Sequence, residues 1–247
     1  FGSSRGPGAS TPTGAMPVSI VSIPALAAGC TAEMRRLDHC LRGPGFFTCD
    51  LGGGSDAILA DAYKASRQLH SAAPGNFIRR KPKKGPRRWW FTAVEGRPLP
   101  GEAEGLPAAR VIRALDAHLG LVAAVVAGAA FAVLGMRKPS CLGNSPMLRA
   151  LRYAETSDPE ELGIPGHVDF GDFTLCHSDA SGLEAFDRRD GGEWRQLPAG
   201  RLHFLAAAGL ERKSGGAVLP VEHRVSGITA ERFSFCRLHG VPASQRR

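Results

Sequence analysis

The chain has 247 residues, of which 43% are hydrophobic and 22% charged, an ordinary balance for a globular protein with a sizeable core. Its six cysteines form no CxxC pair, which argues against a zinc ribbon. We find no signal-peptide pattern, so the cysteines are expected to be reduced thiols of a cytoplasmic protein rather than a disulfide framework. The net charge of +8 suits an anionic partner, such as nucleic acid or an acidic small molecule, and equally suits simple solubility.

The N-terminal part of the chain predicts a flexible segment followed by helices. Residues 1–15 are mostly Gly, Ser, Pro and Thr, and whether they are native is left open. The stretch "MPVSIVSI" predicts a strand, and "TAEMRRLDHCLR" predicts a helix with Thr31 as its N-cap. After a short strand in "GPGFFTCDL", "SDAILADAYKASRQLHSA" predicts a second amphipathic helix capped by Ser55 or Asp56.

The segment at residues 79–91, "RRKPKKGPRRWWF", interleaves basic and aromatic residues. Such a pattern can bind single-stranded nucleic acid. It can also form a loop over an active site, where Arg87 and Arg88 would hold an anionic substrate. A third interpretation is a solvated loop that leads into a core strand, "WWFTAV".

Residues 119–135, "LGLVAAVVAGAAFAVLG", carry no charge and approach the length of a membrane span. Their Ala and Gly content makes them only mildly hydrophobic. We therefore interpret them as a buried helix within a mostly helical stretch at 103–135, and we expect no membrane association.

From residue 147 onward, short apolar runs are separated by Gly, Pro, Asp and Ser, which is typical of many short strands. Helices therefore come first and a β-rich body second. This order predicts an α+β fold, a double-stranded β-helix (jelly roll) buttressed by N-terminal helices. We expect one domain over 16–247, helix-rich over 16–146 and with its jelly-roll core at 147–240.

The motif "GHVDFGD" contains His167 and Asp169, whose side chains point the same way in a strand. They could form a polar surface pair or provide two ligands of a metal. His223, in "LPVEHRVSG", could supply the third ligand. Two histidines and one carboxylate form the facial triad of non-haem Fe(II) oxygenases, which leaves positions open for a co-substrate and dioxygen.

The motif "RFS" places Arg232 and Ser234 on one face of a later strand. A guanidinium offers a fork of donors to a carboxylate, and a hydroxyl adds one more hydrogen bond. This pair could bind the distal carboxylate of a dicarboxylic acid.

Taken together, "LRYAE", "LGIPGHVDFGDFTLCHSDASGLEAF", "GGEWRQLPAGRLHFL" and "LPVEHRVSGITAERFSF" resemble the Fe(II)- and 2-oxoglutarate-dependent dioxygenases of the isopenicillin N synthase-like family. The resemblance covers residues 147–238 and extends to "MPVSIVSIPAL" and "CLRGPGFFTCDL" in the N-terminal part.

The resemblance implies roles for individual residues. His167, Asp169 and His223 would bind iron. Arg232 and Ser234 would bind the far carboxylate of 2-oxoglutarate, and Tyr153 would add a hydrogen bond to it or pack in the core. The sequence departs from the family at 207–208, where the usual "GD" reads "AA".

The same resemblance implies an enzyme that uses Fe(II), 2-oxoglutarate and O2 to oxidise an unactivated C–H bond of a small acidic molecule, for example in natural product biosynthesis. The outcome could be hydroxylation, desaturation or cyclisation, with release of succinate. Two alternatives stay open: an oxidase without 2-oxoglutarate, and a nucleic-acid-binding protein on a dioxygenase scaffold. The extended resemblance favours a small-molecule substrate over nucleic acid.

Overall fold

The fold is taken from a computed structural model of the chain. It describes residues 17–72, 78–80, 87–94, 97–99, 101–136, 146–158 and 160–241. The predicted flexible segment at 1–15 and the centre of the basic loop at 81–86 lie outside the described residues.

The N-terminal part alternates short strands with helices. Its elements are β1 (Ile20–Ser22), α1 (Ile23–Ala27), α2 (Thr31–Arg42), β2 (Phe46–Asp50) and α3 (Ser55–Ala72). The strand predicted in "MPVSIVSI" is shorter than expected, because Ser22 caps α1 by accepting a hydrogen bond from the Ala25 amide, and Pro24 suits the first turn of a helix. The predicted N-cap was wrong by one residue, since Cys30 is the N-cap and Thr31 already belongs to α2.

The long apolar stretch forms the central helix of a helical layer. Strands β3 (Ile78–Arg80) and β4 (Arg88–Val94) and a 3-10 turn (Gly101–Gly105) precede α4 (Pro107–Val133). Helix α4 is long and apolar enough to cross a membrane by length and composition. In the structure it packs against α1, α2 and α3 and buries residues such as Leu115 and Leu119, as expected for a buried helix.

The remainder is β-rich, as predicted. Its elements are β5 (Met147–Tyr153), β6 (Ile164–His167), β7 (Phe173–Ser178), β8 (Leu183–Asp187), β9 (Glu193–Gln196), β10 (Leu202–Ala206), α5 (Ala208–Lys213), β11 (His223–Val225) and β12 (Arg232–His239), with a 3-10 turn at Arg189–Gly191.

These strands form two sheets. The large sheet has the order β1-β2-β10-β7-β12-β5-β4-β3, and the small sheet has the order β6-β11-β8-β9. The predicted α+β class with a jelly-roll core is therefore confirmed. The large sheet takes strands from both sides of residue 146, so the helix-rich region also supplies β1 to β4.

The large sheet has two unlike faces because side chains alternate along each strand. One face carries Phe233, Phe235 and Arg237 of β12 and lies under the helices, where the ring of Tyr63 of α3 packs at a tilt, 4.9 Å from the Phe235 ring. The opposite face carries Arg232 and the alternate residues of β5 and β12, and it faces the small sheet. The space between the two sheets holds the candidate site.

Candidate metal centre and its cavities

Three side chains converge where the small sheet faces the interior. His167 ends β6, Asp169 follows it, and His223 begins β11 directly opposite His167 in the strand register. One ligand atom from each residue lies within 4.8 Å of the other two. The structure thus brings together the three residues that the sequence analysis selected.

Backbone carbonyls orient both imidazoles. The Nδ1 atom of His167 lies 2.9 Å from the Pro165 oxygen, and that of His223 lies 3.2 Å from the Val221 oxygen. An N–H at each Nδ1 leaves the lone pair on Nε2, and these Nε2 atoms lie 3.8 and 3.7 Å from the Asp169 carboxylate oxygens. Metal-binding histidines are commonly held in this way.

The protonation states also suit a metal. Burial lowers the pKa of His223, although nearby Asp169 opposes this, and a neutral imidazole is the form that binds metal. Thr174 of β7 donates a hydrogen bond to Asp169 Oδ2 and so helps to fix the carboxylate. Two imidazoles and one carboxylate without a thiolate ligand match the donor set of non-haem Fe(II) sites.

Behind the three residues lies an inner cavity with an empty volume of about 520 Å³, open space at its mouth included. Arg232, Ser234 and Tyr153 all line it, together with the His167, Asp169 and His223 side chains. The structure therefore brings the predicted iron ligands and the predicted 2-oxoglutarate-binding residues to one cavity.

Arg232 is almost fully buried, with an exposed fraction of 1%. Its Nε donates to the carbonyls of Ala180 and Ser181, at 3.3 and 3.1 Å. Among the described residues, neither its Nη atoms nor the Ser234 hydroxyl has a hydrogen-bond partner. Three buried polar atoms of this cavity therefore lack partners in the described part of the chain, as expected of a site that binds a polar ligand.

Tyr153 lies opposite Arg232 in the register of β5 and β12, and the Arg232 Cζ atom lies 5.1 Å from the centre of its ring. Burial raises the pKa of the Tyr153 phenol, which therefore stays neutral. Tyr153 both packs against the guanidinium and lines the cavity.

An outer cavity with an empty volume of about 1150 Å³, open space included, is lined by His167 and Asp169 of the candidate metal centre. Arg88 of β4 lines this cavity and donates to the Gly163 carbonyl at 3.1 Å. Arg87 is exposed and is not among the described residues that line either cavity. Only one of the two predicted substrate residues therefore lies beside the site.

Three further ring side chains lie outside the candidate site. His177 lies on β7, hydrogen-bonded to Tyr63 at 2.6 Å, on the face away from the candidate metal site. His70 is buried against Phe233 because α3 lies across the sheet there. Trp194 packs against Phe186 and under Arg224, which is a structural role.

Among the cavity residues that the sequence analysis did not single out are Arg149, Cys176 and Cys236. The two cysteines are free thiols whose sulfur atoms lie 3.3 Å apart across β7 and β12. A signal for Arg149 was present in "MLRALRY", since it lies four residues before Tyr153 and so shares its strand face.

No protein-family model and no curated protein matches the sequence. Solved structures do match the fold. A dioxygenase for auxin oxidation from rice has a TM-score of 0.77 at 19% identity, over 92% of this chain and 84% of its own. JOX2, solved with 2OG, Fe and JA, has a TM-score of 0.75 at 19% identity, over 92% of this chain and 75% of its own.

A third similar structure is a full-length Neurospora crassa protein in complex with alpha-KG and thymine. It has a TM-score of 0.75 at 13% identity, over 90% of this chain and 85% of its own. The three structures share the arrangement of helices and jelly roll described above over most of their length. The chain therefore has the fold of the Fe(II)- and 2-oxoglutarate-dependent dioxygenases.

Proposed function

We propose that the chain is a non-haem Fe(II)- and 2-oxoglutarate-dependent oxygenase that oxidises a C–H bond of a small acidic molecule. The observation that carries this proposal is the shared inner cavity, where the three candidate iron ligands face a buried cation whose Nη atoms lack partners among the described residues. Similar structures solved with Fe and 2OG, or with alpha-KG, support it.

His167, Asp169 and His223 would hold the iron. When bound, Fe(II) would supply activation of dioxygen and oxidation of the substrate, while 2-oxoglutarate is converted to succinate and carbon dioxide. The protein's contribution is orientation: carbonyl partners hold both imidazoles with Nε2 inward, and Thr174 holds the Asp169 carboxylate.

Arg232, Ser234 and Tyr153 would bind the far carboxylate of 2-oxoglutarate. A carboxylate placed there would accept hydrogen bonds from the Arg232 Nη atoms and the Ser234 hydroxyl, which lack partners among the described residues. It would also neutralise a guanidinium that cannot lose its proton. Burial favours binding of this carboxylate, because an uncompensated charge in a buried cavity is costly.

The substrate would enter through the outer cavity, which reaches His167 and Asp169 and also contains Arg88. A cation at this position supports an anionic substrate. Hydroxylation, desaturation and cyclisation all begin with the same C–H oxidation and would all fit this geometry.

The deciding experiment incubates the purified chain with Fe(II), O2 and 2-oxoglutarate and measures succinate, with and without candidate acids. Acid-dependent succinate formation is the expected result. Oxygen consumption with an acid but without any 2-oxo acid would instead establish the oxidase alternative, in which Arg232 holds the substrate. Failure to form succinate together with salt-sensitive nucleic-acid binding would favour a binding protein.

A further inference from the structure

Two cysteines place a pair of free thiols in the wall of the inner cavity. Cys176 of β7 and Cys236 of β12 lie directly opposite each other in the strand register, and their sulfur atoms lie 3.3 Å apart. Both residues line the inner cavity, whereas the other described cysteines, Cys30, Cys40 and Cys49, line neither cavity. Neither the candidate metal centre nor the Arg232 site uses these two thiols.

The thiol pair lies between the two groups of residues assigned above. Cys176 is two residues from Thr174, whose hydroxyl donates to Asp169, and side chains two apart in a strand share a face. In the other direction along the same pair of strands, Cys236 is two residues from Ser234. A ligand that extends from the Asp169 side of the cavity to Ser234 would therefore cover the two sulfur atoms.

The backbone around the two thiols suits a disulfide. Cα atoms of residues directly opposite each other in antiparallel strands are about 4.5 or 5.5 Å apart. Both values lie within the range of about 4.4–6.8 Å that disulfides span. Since the thiols of Cys176 and Cys236 already form a hydrogen bond, a bond between them requires rotation of side chains and no movement of the strands.

The surroundings of the pair favour reaction at Cys176. Its exposed fraction is 4%, so a reagent reaches it through the inner cavity rather than from the outer surface. The hydrogen bond with Cys236 lowers the pKa of the Cys176 thiol, and nearby Arg232 contributes, although burial and Asp169 oppose both. The thiolate is the reactive form of cysteine, and reactive cysteines lie in electropositive surroundings of this kind.

We propose that Cys176 and Cys236 are a redox-sensitive modification site, at which a peroxide that enters the inner cavity converts the two thiols into a disulfide. Cys176 attacks hydrogen peroxide, the O–O bond breaks, and a sulfenic acid and one water form. The Cys236 sulfur then bonds to the sulfenic sulfur, and a second water leaves. In total, two thiols and one peroxide give one disulfide and two waters, so the sulfur atoms are oxidised and the peroxide oxygens are reduced.

A ligand in the inner cavity should control this oxidation. 2-Oxoglutarate held by Arg232 and Ser234 would cover the thiols and exclude peroxide, so the chain without its co-substrate is the form that is oxidised. At about ten times its dissociation constant, 2-oxoglutarate leaves about one-tenth of the cavities empty, and oxidation should be about 10-fold slower. This protection rests on the proposed function, whereas the oxidation of the thiol pair does not.

The test maps the disulfide by mass spectrometry. The reduced, chelator-treated chain is exposed to hydrogen peroxide, alkylated, and digested with trypsin without reductant. Cleavage after arginine gives residues 153–188, which contain Cys176, and residues 233–237, which contain Cys236. The two peptides should be linked, with a mass two hydrogen atoms below their sum, and dithiothreitol should separate them. Cys236→Ser should give no linked peptide, whereas the matched control Cys30→Ser should give it as the wild-type chain does.

Protection is measured with Mn(II) in place of Fe(II), because Fe(II) itself reacts with peroxide. Binding of 2-oxoglutarate to the Mn(II)-loaded chain is determined by calorimetry, and the rate of linkage is compared at zero and at saturating 2-oxoglutarate. The inference is overturned if peroxide oxidises Cys30 while Cys176 and Cys236 stay unlinked. A rate of linkage that bound 2-oxoglutarate leaves unchanged would overturn the protective role of the co-substrate.

Succinate formation by the reduced chain with Fe(II) is assayed separately, so that the two proposals fail in different ways. Succinate without a linked peptide would remove only the redox site. A linked peptide from a chain that neither binds 2-oxoglutarate nor forms succinate would establish the thiol pair and remove the proposed function.

Discussion

The two faces of the large sheet treat their buried arginines differently. On the helix-covered face, Arg237 of β12 pairs with Asp116 of α4 at 2.8 Å. On the cavity face, the hydrogen-bond partners of Arg232 among the described residues are the carbonyls of Ala180 and Ser181, and none is a carboxylate. The two residues are five apart in sequence, and strand alternation sends them to opposite environments.

A structural charge differs from a binding charge in whether the protein itself provides the compensating group. A buried pair compensates itself, so removing either partner leaves a costly charge. A buried guanidinium without a carboxylate already carries that cost in the ligand-free protein. Such a cost is reasonable where a ligand offsets it, so Arg232 fits the binding role proposed above, while Arg237 is compensated within the protein.

The largest effect is expected from removal of Asp169, the proposed iron ligand on the cavity side. Asp169→Ala leaves two imidazoles without a charged ligand. Partners outside the ligand set typically change metal affinity or activity about 10- to 100-fold, so loss of a ligand should cost at least about 100-fold in succinate formation. Fe(II) affinity, measured by competition with a chelator, should fall as well.

The matched control is Asp116→Ala, which removes a carboxylate from the helix-covered face. It should lower the free energy of unfolding by about 3–5 kcal/mol, because Arg237 is then buried without its partner. The folded fraction should keep its Fe(II) affinity. Normal turnover by Asp169→Ala would show that the assignment of the metal site is wrong.

The next effect concerns Arg232 and Arg237 directly. Arg232→Leu should weaken 2-oxoglutarate binding by about two to four decades, because two charge-assisted hydrogen bonds of about 1.5–3 kcal/mol each are lost. Arg237→Leu should leave this affinity unchanged. Anaerobic titration of the Fe(II)-loaded protein with 2-oxoglutarate provides the measurement.

For the free energy of unfolding, Arg237→Leu should have the larger effect of the two substitutions. Without ligand, Arg232→Leu should be neutral or stabilising, since it removes an uncompensated buried charge. Arg237→Leu should destabilise by about 3–5 kcal/mol, because Asp116 loses its partner. Equal destabilisation of the two variants in urea unfolding would contradict the distinction between the faces.

A smaller effect is expected at Thr174, whose hydroxyl donates to Asp169. Thr174→Val keeps the shape of the side chain and removes the donor. Fe(II) affinity should fall about 10-fold, at the low end of the range for residues that orient metal ligands. Unchanged iron affinity, with an unchanged free energy of unfolding, would mean that Asp169 is held without this hydrogen bond.

The sequence predicted the site better than it predicted the local boundaries. The i, i+2 spacing determines a shared strand face, so the pairs His167 with Asp169 and Arg232 with Ser234 could be predicted from the sequence. His223 was added as a third ligand in a later predicted strand. Their convergence needed the resemblance, because contacts between distant strands leave no local pattern. The iron and 2-oxoglutarate roles of these residues stay predictions until the experiments above are done.

The residues that sequence reasoning missed or misplaced depend on tertiary packing. His70 is buried only because α3 lies on Phe233, and β1 is short only because Ser22 caps a helix. Arg149 lies on the same strand face as Tyr153, but nothing in the local sequence shows that its Nε has no hydrogen-bond partner among the described residues while Arg152 pairs with Glu231. That distinction depends on which face of β5 each side chain occupies and on the residues beside it in β4 and β12.

The smallest predicted effect concerns His239, a buried group on the helix-covered face of β12. It stacks on Phe173 at 4.7 Å, and neither ring nitrogen has a hydrogen-bond partner among the described residues. Unlike Arg232, an imidazole can shed its charge. Burial, with smaller contributions from Arg237 and Lys213 that outweigh nearby Asp172, lowers its pKa to about 4.

Because the ordinary histidine pKa is about 6.5, the unfolded chain binds one more proton than the folded chain at this residue between about pH 6.5 and 4. The contribution to stability is therefore full above pH 6.5 and is lost as the pH falls, by up to about 1.4 kcal/mol per pH unit. His70 and His177, whose pKa values are also lowered to about 4 by burial, act in the same direction. His239→Phe keeps the stacking and removes the titrating group, so the slope of unfolding free energy against pH should fall by about one proton's worth. Urea unfolding of both proteins at several pH values between 7 and 4.5 measures this slope, and identical slopes would show that His239 does not titrate on unfolding.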